Sequence, residues 1–399
     1  MITERSFTKD WLYAVNKNLG WNRREASLKN LEKAIAALHL LECLAAAGLD
    51  FIFKGGTSLI LLLRKISRLS VDIDIVVDRP INDIDSVFAG ICSRSILFKR
   101  FEQQVRDIDA VVGVDHYKFF YQPFADAGEE SYILLDFYIS INPYANTLKF
   151  ELASDILDTH GKNVSVRVPD VESILGDKLT AFAPRTIGIP LSAEPGYRPK
   201  RVEVLKQLFD IGNLFNLAED VANIRRTHNV IASHWIDRYG LEITVADVLA
   251  DSARYAYIIG YGGKIDKPLY DTIAKGYKDF NKFMSDMTFD ENTAVLAAAK
   301  VAYLVSTLLS GGNSLEKYDR EIDMAPWFIA DKDYRIFNEY IYNNPEAFLL
   351  VQSVIERKKI TFMISLYGSN YRIIFVIRID NLTMICSRFV GEIPYKVCV

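Results

Sequence analysis

The stretch from Phe51 to Asp78, FIFKGGTSLILLLRKISRLSVDIDIVVD, decides how the rest of the chain is read. Leu49–Phe53 predicts a short buried strand that Gly55 and Gly56 break. Ser58 to Lys65 is mostly Leu and Ile, and as a strand it would have no polar face. After a Gly-Gly-Thr-Ser turn a buried helix fits better, with Thr57 or Ser58 capping its first turn. Val71–Val77 predicts the next strand, with Asp72 and Asp74 on one face and Ile73 and Ile75 on the other.

The order is strand, glycine turn, helix, acidic strand, which is a layout for holding a nucleoside triphosphate and its metal ions. Glycine lets backbone approach phosphate closely, and a helix N-terminus offers N–H groups to the anion. Two aspartates at i and i+2 on a strand point the same way and can share divalent ions, which favour hard oxygen ligands. Such ions activate a hydroxyl and neutralise departing pyrophosphate. A third carboxylate from a neighbouring strand usually completes a site of this kind. Asp136, the single acid in the strand YILLDFYIS (Tyr132–Ser140), is the natural candidate, because a lone acid there is costly to bury. Each piece has a plainer reading: a turn before a helix, a surface acid pair, an edge-strand aspartate facing water. Their combination in this order is what carries the argument.

Working outward, residues 6–20 read as a short helix, and Glu25 to Ala47 as a longer one with Leu28, Leu31, Ile35, Leu38 and Leu41 at helical spacing, stopped by Gly48. Residues 83–105 include a helix with surface charge, and Ala110–Val114, His116–Gln122 and Val164–Val168 read as strands. Asp170 is an N-cap for the helix DVESILGDKLTAFAPRT, which carries Lys178. Residues 187–200 form a Gly- and Pro-rich linker, 201–217 resume helical periodicity, and 218–318 are mostly helical, with turns near Gly240, Gly260–Gly263 and Gly311-Gly312. Lys359–Leu366, Tyr371–Ile379 and Leu382–Val390 read as a three-stranded meander. The expected organisation is an α+β chain: a mixed-sheet domain over 1–195, a mainly helical domain over 196–320 and an extension over 321–399.

Composition narrows the class. The 399 residues are half apolar and one-quarter charged, with 21 Tyr and 23 Phe, so broad disorder is excluded. The net charge of −4 argues against a uniformly basic nucleic-acid coat but leaves local basic patches open. The four cysteines are widely spaced with no C-x-x-C pair, which removes the usual zinc pattern and reads as reduced thiols in a cytoplasmic protein. The N-terminus is not a signal peptide, and no uninterrupted apolar run reaches the roughly 18 residues of a membrane span. The five histidines form no constellation in sequence, so histidine chemistry has no support at this level.

At these motifs the sequence resembles the nucleotidyltransferase superfamily of DNA polymerase β type, and more closely the AbiEii/AbiGii family of nucleotidyltransferase toxins. The resemblance runs through Phe53-Lys54-Gly55-Gly56-Thr57-Ser58-Leu59 and Arg68-Leu69-Ser70-Val71-Asp72-Ile73-Asp74. It continues through Lys178, Ala181 and Arg185 in DKLTAFAPR, and through Lys206-Gln207-Leu208-Phe209-Asp210-Ile211, where Gln207 replaces an expected acid. It implies a polymerase β-like core and a Mg²⁺- or Mn²⁺-dependent transfer of NMP from an NTP to an RNA hydroxyl, the tRNA 3′ end in some relatives. It also implies a toxin of bacterial abortive infection and phage defence with a separately encoded cognate antitoxin. Carried onto this chain, Asp72, Asp74 and Asp136 would bind metal. Lys54, Gly55, Gly56, Thr57, Ser58, Ser70 and Arg185 would hold the nucleotide. Lys178 would neutralise the leaving pyrophosphate, and Asp210 would position Lys178 or act on the acceptor.

Two basic segments, Tyr197-Arg198-Pro199-Lys200-Arg201 with Lys206 and Arg225-Arg226-Thr227-His228, are candidate RNA contacts or plain solvated surface. Arg64, Lys65 and Arg68 flank the glycine turn. Two alternatives share the same core: a transferase acting on a small molecule or protein side chain, and a nucleotide-binding partner protein without turnover.

Overall fold

In the computed structural model, described residues are 1–19, 25–63, 66–105, 113–126, 128–191, 199–285, 287–324, 326–332, 334–356, 364–365, 374–379 and 382–386. Arg64, Lys65, Tyr197, Arg198, residues 110–112 and the outer parts of the C-terminal meander lie outside them. The chain divides into two units, Met1–Ile174 with Asp279–Thr288, and Leu175–Lys278 with Phe289–Val399.

The first unit opens with α1 (Lys9–Asn18), whose first turn is capped by Thr8 Oγ1 accepting from Trp11 N at 3.2 Å. Next comes α2 (Glu25–Ala46), on which Leu31, Ile35, Leu38 and Leu41 are all fully buried. Gly48 follows at φ +81°, the left-handed stop expected of it. The sheet is built from β1 (Ile52–Lys54), β2 (Ile73–Val77), β3 (Phe98–Gln103), β4 (Val114–Tyr121), β5 (Ser131–Ile139), β6 (Thr147–Glu151) and β7 (Ser165–Pro169). Their spatial order is β3-β4-β5-β2-β1-β7-β6. The β2–β5 and β1–β7 neighbours are parallel and the others antiparallel, so the sheet is mixed. Along β5, Ile133, Leu135 and Phe137 are buried, while Tyr132, Leu134, Asp136 and Tyr138 alternate with them on the more open face. A buried carboxylate ties α2 into this unit: Glu32 accepts from Tyr121 Oη at 3.1 Å and from Ala125 N at 2.6 Å.

Two helices complete the sheet connections, α3 (Gly55–Leu62) between β1 and β2, and α4 (Ile84–Arg94) between β2 and β3. The sequence places a helix with surface charge within 83–105. The structure ends that helix at Arg94 and makes Phe98–Gln103 an edge strand. Phe98 is buried against Phe119 and Tyr121 of the neighbouring strand, and this packing overrides the polar pattern. The edge strand β6 was not foreseen either. Its half-exposed TLKFE pattern pairs only with β7 and carries no strong local signal.

The boundary between units falls within α5 (Val171–Ala181), capped by Asp170 Oδ1 accepting from Ser173 N at 2.8 Å. The second unit is helical: α6 (Arg201–Leu217), α7 (Val221–Tyr239), α8 (Val245–Gly260), α9 (Lys267–Ala274), α10 (Glu291–Leu309) and α11 (Pro345–Glu356). Capping boxes at Thr244/Asp247 and Asp290/Thr293 start α8 and α10, and Gly240 ends α7 at φ +62°. α10 is long and apolar enough to cross a membrane by length and composition, but most of it is buried in the core of this unit. Its central Lys300 donates to Asn216 Oδ1 at 2.7 Å and pairs with Glu346 at 2.9 Å. At the C-terminus, β8 (Ile364–Ser365), β9 (Ile374–Ile379) and β10 (Leu382–Cys386) form an antiparallel meander in the order β10-β9-β8.

Two buried titratable groups in the helical unit oppose one another in acid. Burial lowers the His228 imidazole to about 4. Its stability term is present above the unfolded value near 6.5 and is lost as pH falls toward the folded one. Burial raises the Asp251 carboxyl to about 6, so its term is present below the unfolded value and lost as pH rises through the folded one. Each is worth on the order of 3 kcal/mol and they offset one another through mild acid. Removing one exposes the other. Between about pH 7 and about pH 4.5, urea unfolding of Asp251→Asn should lose stability more steeply than wild type, and His228→Met less steeply.

Candidate active site

The glycine turn of the first unit is pressed against the acidic strand. Gly55 has φ +77°, and a Cβ placed there would lie 2.0 Å from Asp74 Oδ2. A Cβ on Gly56 would lie 2.7 Å from Arg68 Nη2 and 2.8 Å from Ser70 Oγ. These two glycines are required by close approach, and Gly55 also by its backbone conformation. α3 begins at Gly55 itself, three residues before the expected Ser58.

The hydroxyl cap expected from Thr57 or Ser58 is not made. Lys54 is the N-cap residue, with no side-chain cap bond. Thr57 Oγ1 donates to Asp72 O at 2.5 Å and Ser58 Oγ to Gly55 O at 2.9 Å, and both residues are fully buried. The Thr57 bond ties the helix start to the segment that leads into β2. The hydroxyl protons are thus spent on the protein's own backbone, which leaves the N–H groups of the first turn as this segment's donors toward an anion.

Asp74 sits in β2, and Asp72 immediately before it. Both are partly exposed, while Ile73 and Ile75 between and beyond them are fully buried, as the alternation requires. In the ladders, Asp74 is directly opposite Lys54 of β1 on one side and Asp136 of β5 on the other. Asp136 is in turn opposite His116 of β4. Residues paired across neighbouring strands share a face, so His116, Asp136, Asp74 and Lys54 form one row across four strands. Lys54 Nζ lies 4.2 Å from the Tyr138 ring centroid, a cation–π contact that stands beside the row. His116 Nδ1 and Asp136 Oδ1 are 2.6 Å apart, with the imidazole fully buried and the aspartate side chain 14% exposed. Sequence reading missed His116, because only strand register brings it to Asp136.

Among the described residues, no three His, Cys, Asp or Glu side chains converge as a cation-binding group. Asp74 and Asp136 nevertheless fit a divalent cation that arrives with a triphosphate. They are hard oxygen donors on one face of adjoining strands, and Mg²⁺ commonly takes one or two carboxylates plus waters and phosphates, without a protein cage.

In the second unit, Lys178 of α5 pairs with Asp210 of α6 at 2.9 Å, with side chains 8% and 1% exposed. Arg185 lies beyond the end of α5 with an exposed side chain, and its backbone N–H donates to Asp251 Oδ2 at 2.7 Å.

With this geometry in place, comparison with known proteins assigns the chain. A family model described as nucleotidyl transferase AbiEii toxin, type IV TA system, matches residues 39–303. The chain belongs to this family of nucleotidyltransferase toxins. No curated protein matches it by sequence. Among solved structures it is similar to a nucleotidyltransferase-class protein of H. pylori, at 16% identity and TM-score 0.40, over 74% of this chain and 100% of that one. It is also similar to the nucleotidyltransferase toxin MenT4 of Mycobacterium tuberculosis H37Rv, at 15% identity and TM-score 0.42, over 75% of this chain and 99% of that one.

Two outcomes test the local geometry. Gly55→Ala forces Asp74 aside and should lower nucleotidyl transfer by about 100-fold, since a displacement near 1 Å costs that much. Near-wild-type turnover of that variant would contradict the packing. Asp210→Leu leaves Lys178 buried without its ion pair and should cost about 3–5 kcal/mol in urea unfolding, most of which Lys178→Met/Asp210→Leu restores.

Proposed function

We propose that this toxin transfers a nucleoside monophosphate from an NTP to an RNA hydroxyl, the tRNA 3′ end being the acceptor that family resemblance favours. The observation that carries the reading is the in-register Asp74–Asp136 pair beside the Gly55 turn. A transferase of this class has to hold a polyanion, and that is a place where fixed carboxylates meet a helix start. The family membership supplies the enzyme class and implies an antitoxin partner. The RNA acceptor, the divalent ion, phage defence and a cytoplasmic setting are parts of the proposal.

In this reading the first-turn N–H groups of Gly56, Thr57 and Ser58 take the β/γ-phosphates, and Lys54 and Ser70 flank them. Asp72, Asp74 and Asp136 hold Mg²⁺ or Mn²⁺. When bound, that ion neutralises triphosphate charge and lowers the pKa of the acceptor hydroxyl. Asp136 accepts the hydroxyl proton as the oxygen attacks the α-phosphorus. The new O–P bond forms as the Pα–O bond to the β-phosphate breaks, and pyrophosphate leaves with the electron pair. Lys178, held by Asp210, is assigned to the leaving charge, and Arg185 to the nucleotide.

The experiment incubates the protein with each α-³²P-labelled NTP and separately with total tRNA, cell protein or a small-molecule pool. Label should appear on tRNA, and Asp74→Asn or Asp136→Asn should reduce it by at least about 1,000-fold while relieving growth arrest, in line with loss of a charge-stabilising group. Label found only on protein or on a small molecule would replace the RNA reading, and toxicity that survives both substitutions would remove the catalytic one.

A further inference from the structure

We infer that His116 is a positioning residue for the transfer reaction, holding Asp136 in one orientation and setting its separation from Asp74. The inference rests on the reading that Asp136 serves that reaction. Three observations support it. His116 lies directly opposite Asp136 in the β4–β5 ladder, so its side chain shares the face that carries the two carboxylates. Its Nδ1 is 2.6 Å from Asp136 Oδ1, within hydrogen-bond reach. Its ring is fully buried on a face where Asp74, Asp136 and Tyr138 remain partly exposed, so the imidazole is fixed before any ligand arrives.

The strand order turns these contacts into a device. β5 lies between β4 and β2, so His116 and Asp74 flank Asp136 from opposite sides. Two aspartates opposite one another on adjoining strands repel, and their backbones are only about 4.8 Å apart. A donor on the far side draws Asp136 toward β4 and away from Asp74. With Oδ1 engaged by Nδ1–H, Oδ2 is the oxygen left for a cation or for the acceptor proton. A histidine that served packing alone would need only its ring volume. The inference instead requires a donor at the Nδ1 position.

Substitution separates those requirements. Asparagine places its Nδ2 close to where the imidazole Nδ1 sits, whereas leucine fills volume without a donor. His116→Leu should lower kcat by about 10- to 100-fold with little change in the KM for NTP, the scale of losing a ligand-orienting partner. His116→Asn should recover most of that kcat even if both variants melt at the same lowered temperature. Equal kcat for the two variants overturns the inference. If His116→Leu does not fold, ¹⁵N NMR of imidazole-labelled wild-type protein without metal decides the matter. Nδ1 should carry the proton, and its resonance should move in Asp136→Ala. An unprotonated Nδ1, or one indifferent to Asp136→Ala, overturns the inference. Full transferase activity in Asp136→Ala would remove the catalytic reading of Asp136 itself, while the NMR result would still report on the hydrogen bond.

Discussion

The parallel pairing of β2 with β5 is the constraint on which the candidate site depends. It sets Asp74 opposite Asp136, and β1 sets Lys54 on the other side of Asp74. A slip of one residue would turn the carboxylates to the buried side, where Ile73, Ile75, Leu135 and Phe137 now pack. The hydrophobic alternation of both strands therefore fixes the register, and the register sets the two carboxylates side by side. Gly55 completes the arrangement, because only a residue without a side chain can follow β1 so closely against Asp74.

Much of the fold could be read from the sequence because its strongest local signals agree with the tertiary packing. Asp74 on its strand, a helix at the apolar run after the glycine turn, the capped helix at Asp170 and the helix over Arg201–Leu217 follow their residue patterns, while β2 starts one residue after Asp72 and the helix of the glycine turn starts at Gly55. Edge strands were less legible. β3 and β6 are short and polar, and what holds them is pairing with a neighbour distant in sequence. The histidine beside Asp136 was invisible for the same reason. Its 20-residue separation from Asp136 carries no periodic signal, and only the antiparallel register joins them.

The hydroxyls of the glycine turn show how residue type can be right while the expected contact is wrong. Thr57 and Ser58 suit a helix N-terminus, yet they brace the turn from within and do not cap it. Both hydroxyls are thereby committed to the turn's own backbone. The helical unit uses buried charge in a similar way. Lys178 with Asp210, and Lys300 with Glu346, are pairs that hold helices together, and removing one partner of such a pair is costlier than never having the pair. Lys178 is thus held in one place by its pair with Asp210.

In the proposed reaction the in-register carboxylates bind the cation that accompanies the triphosphate. Electron paramagnetic resonance titration of Mn²⁺, with and without a non-hydrolysable NTP analogue, tests it without turnover. Mn²⁺ should bind weakly alone and tightly with the analogue, and Asp74→Asn should cost at least about tenfold in the ternary affinity, as expected when a carboxylate ligand is removed. Ternary Mn²⁺ affinity unchanged in Asp74→Asn would contradict it.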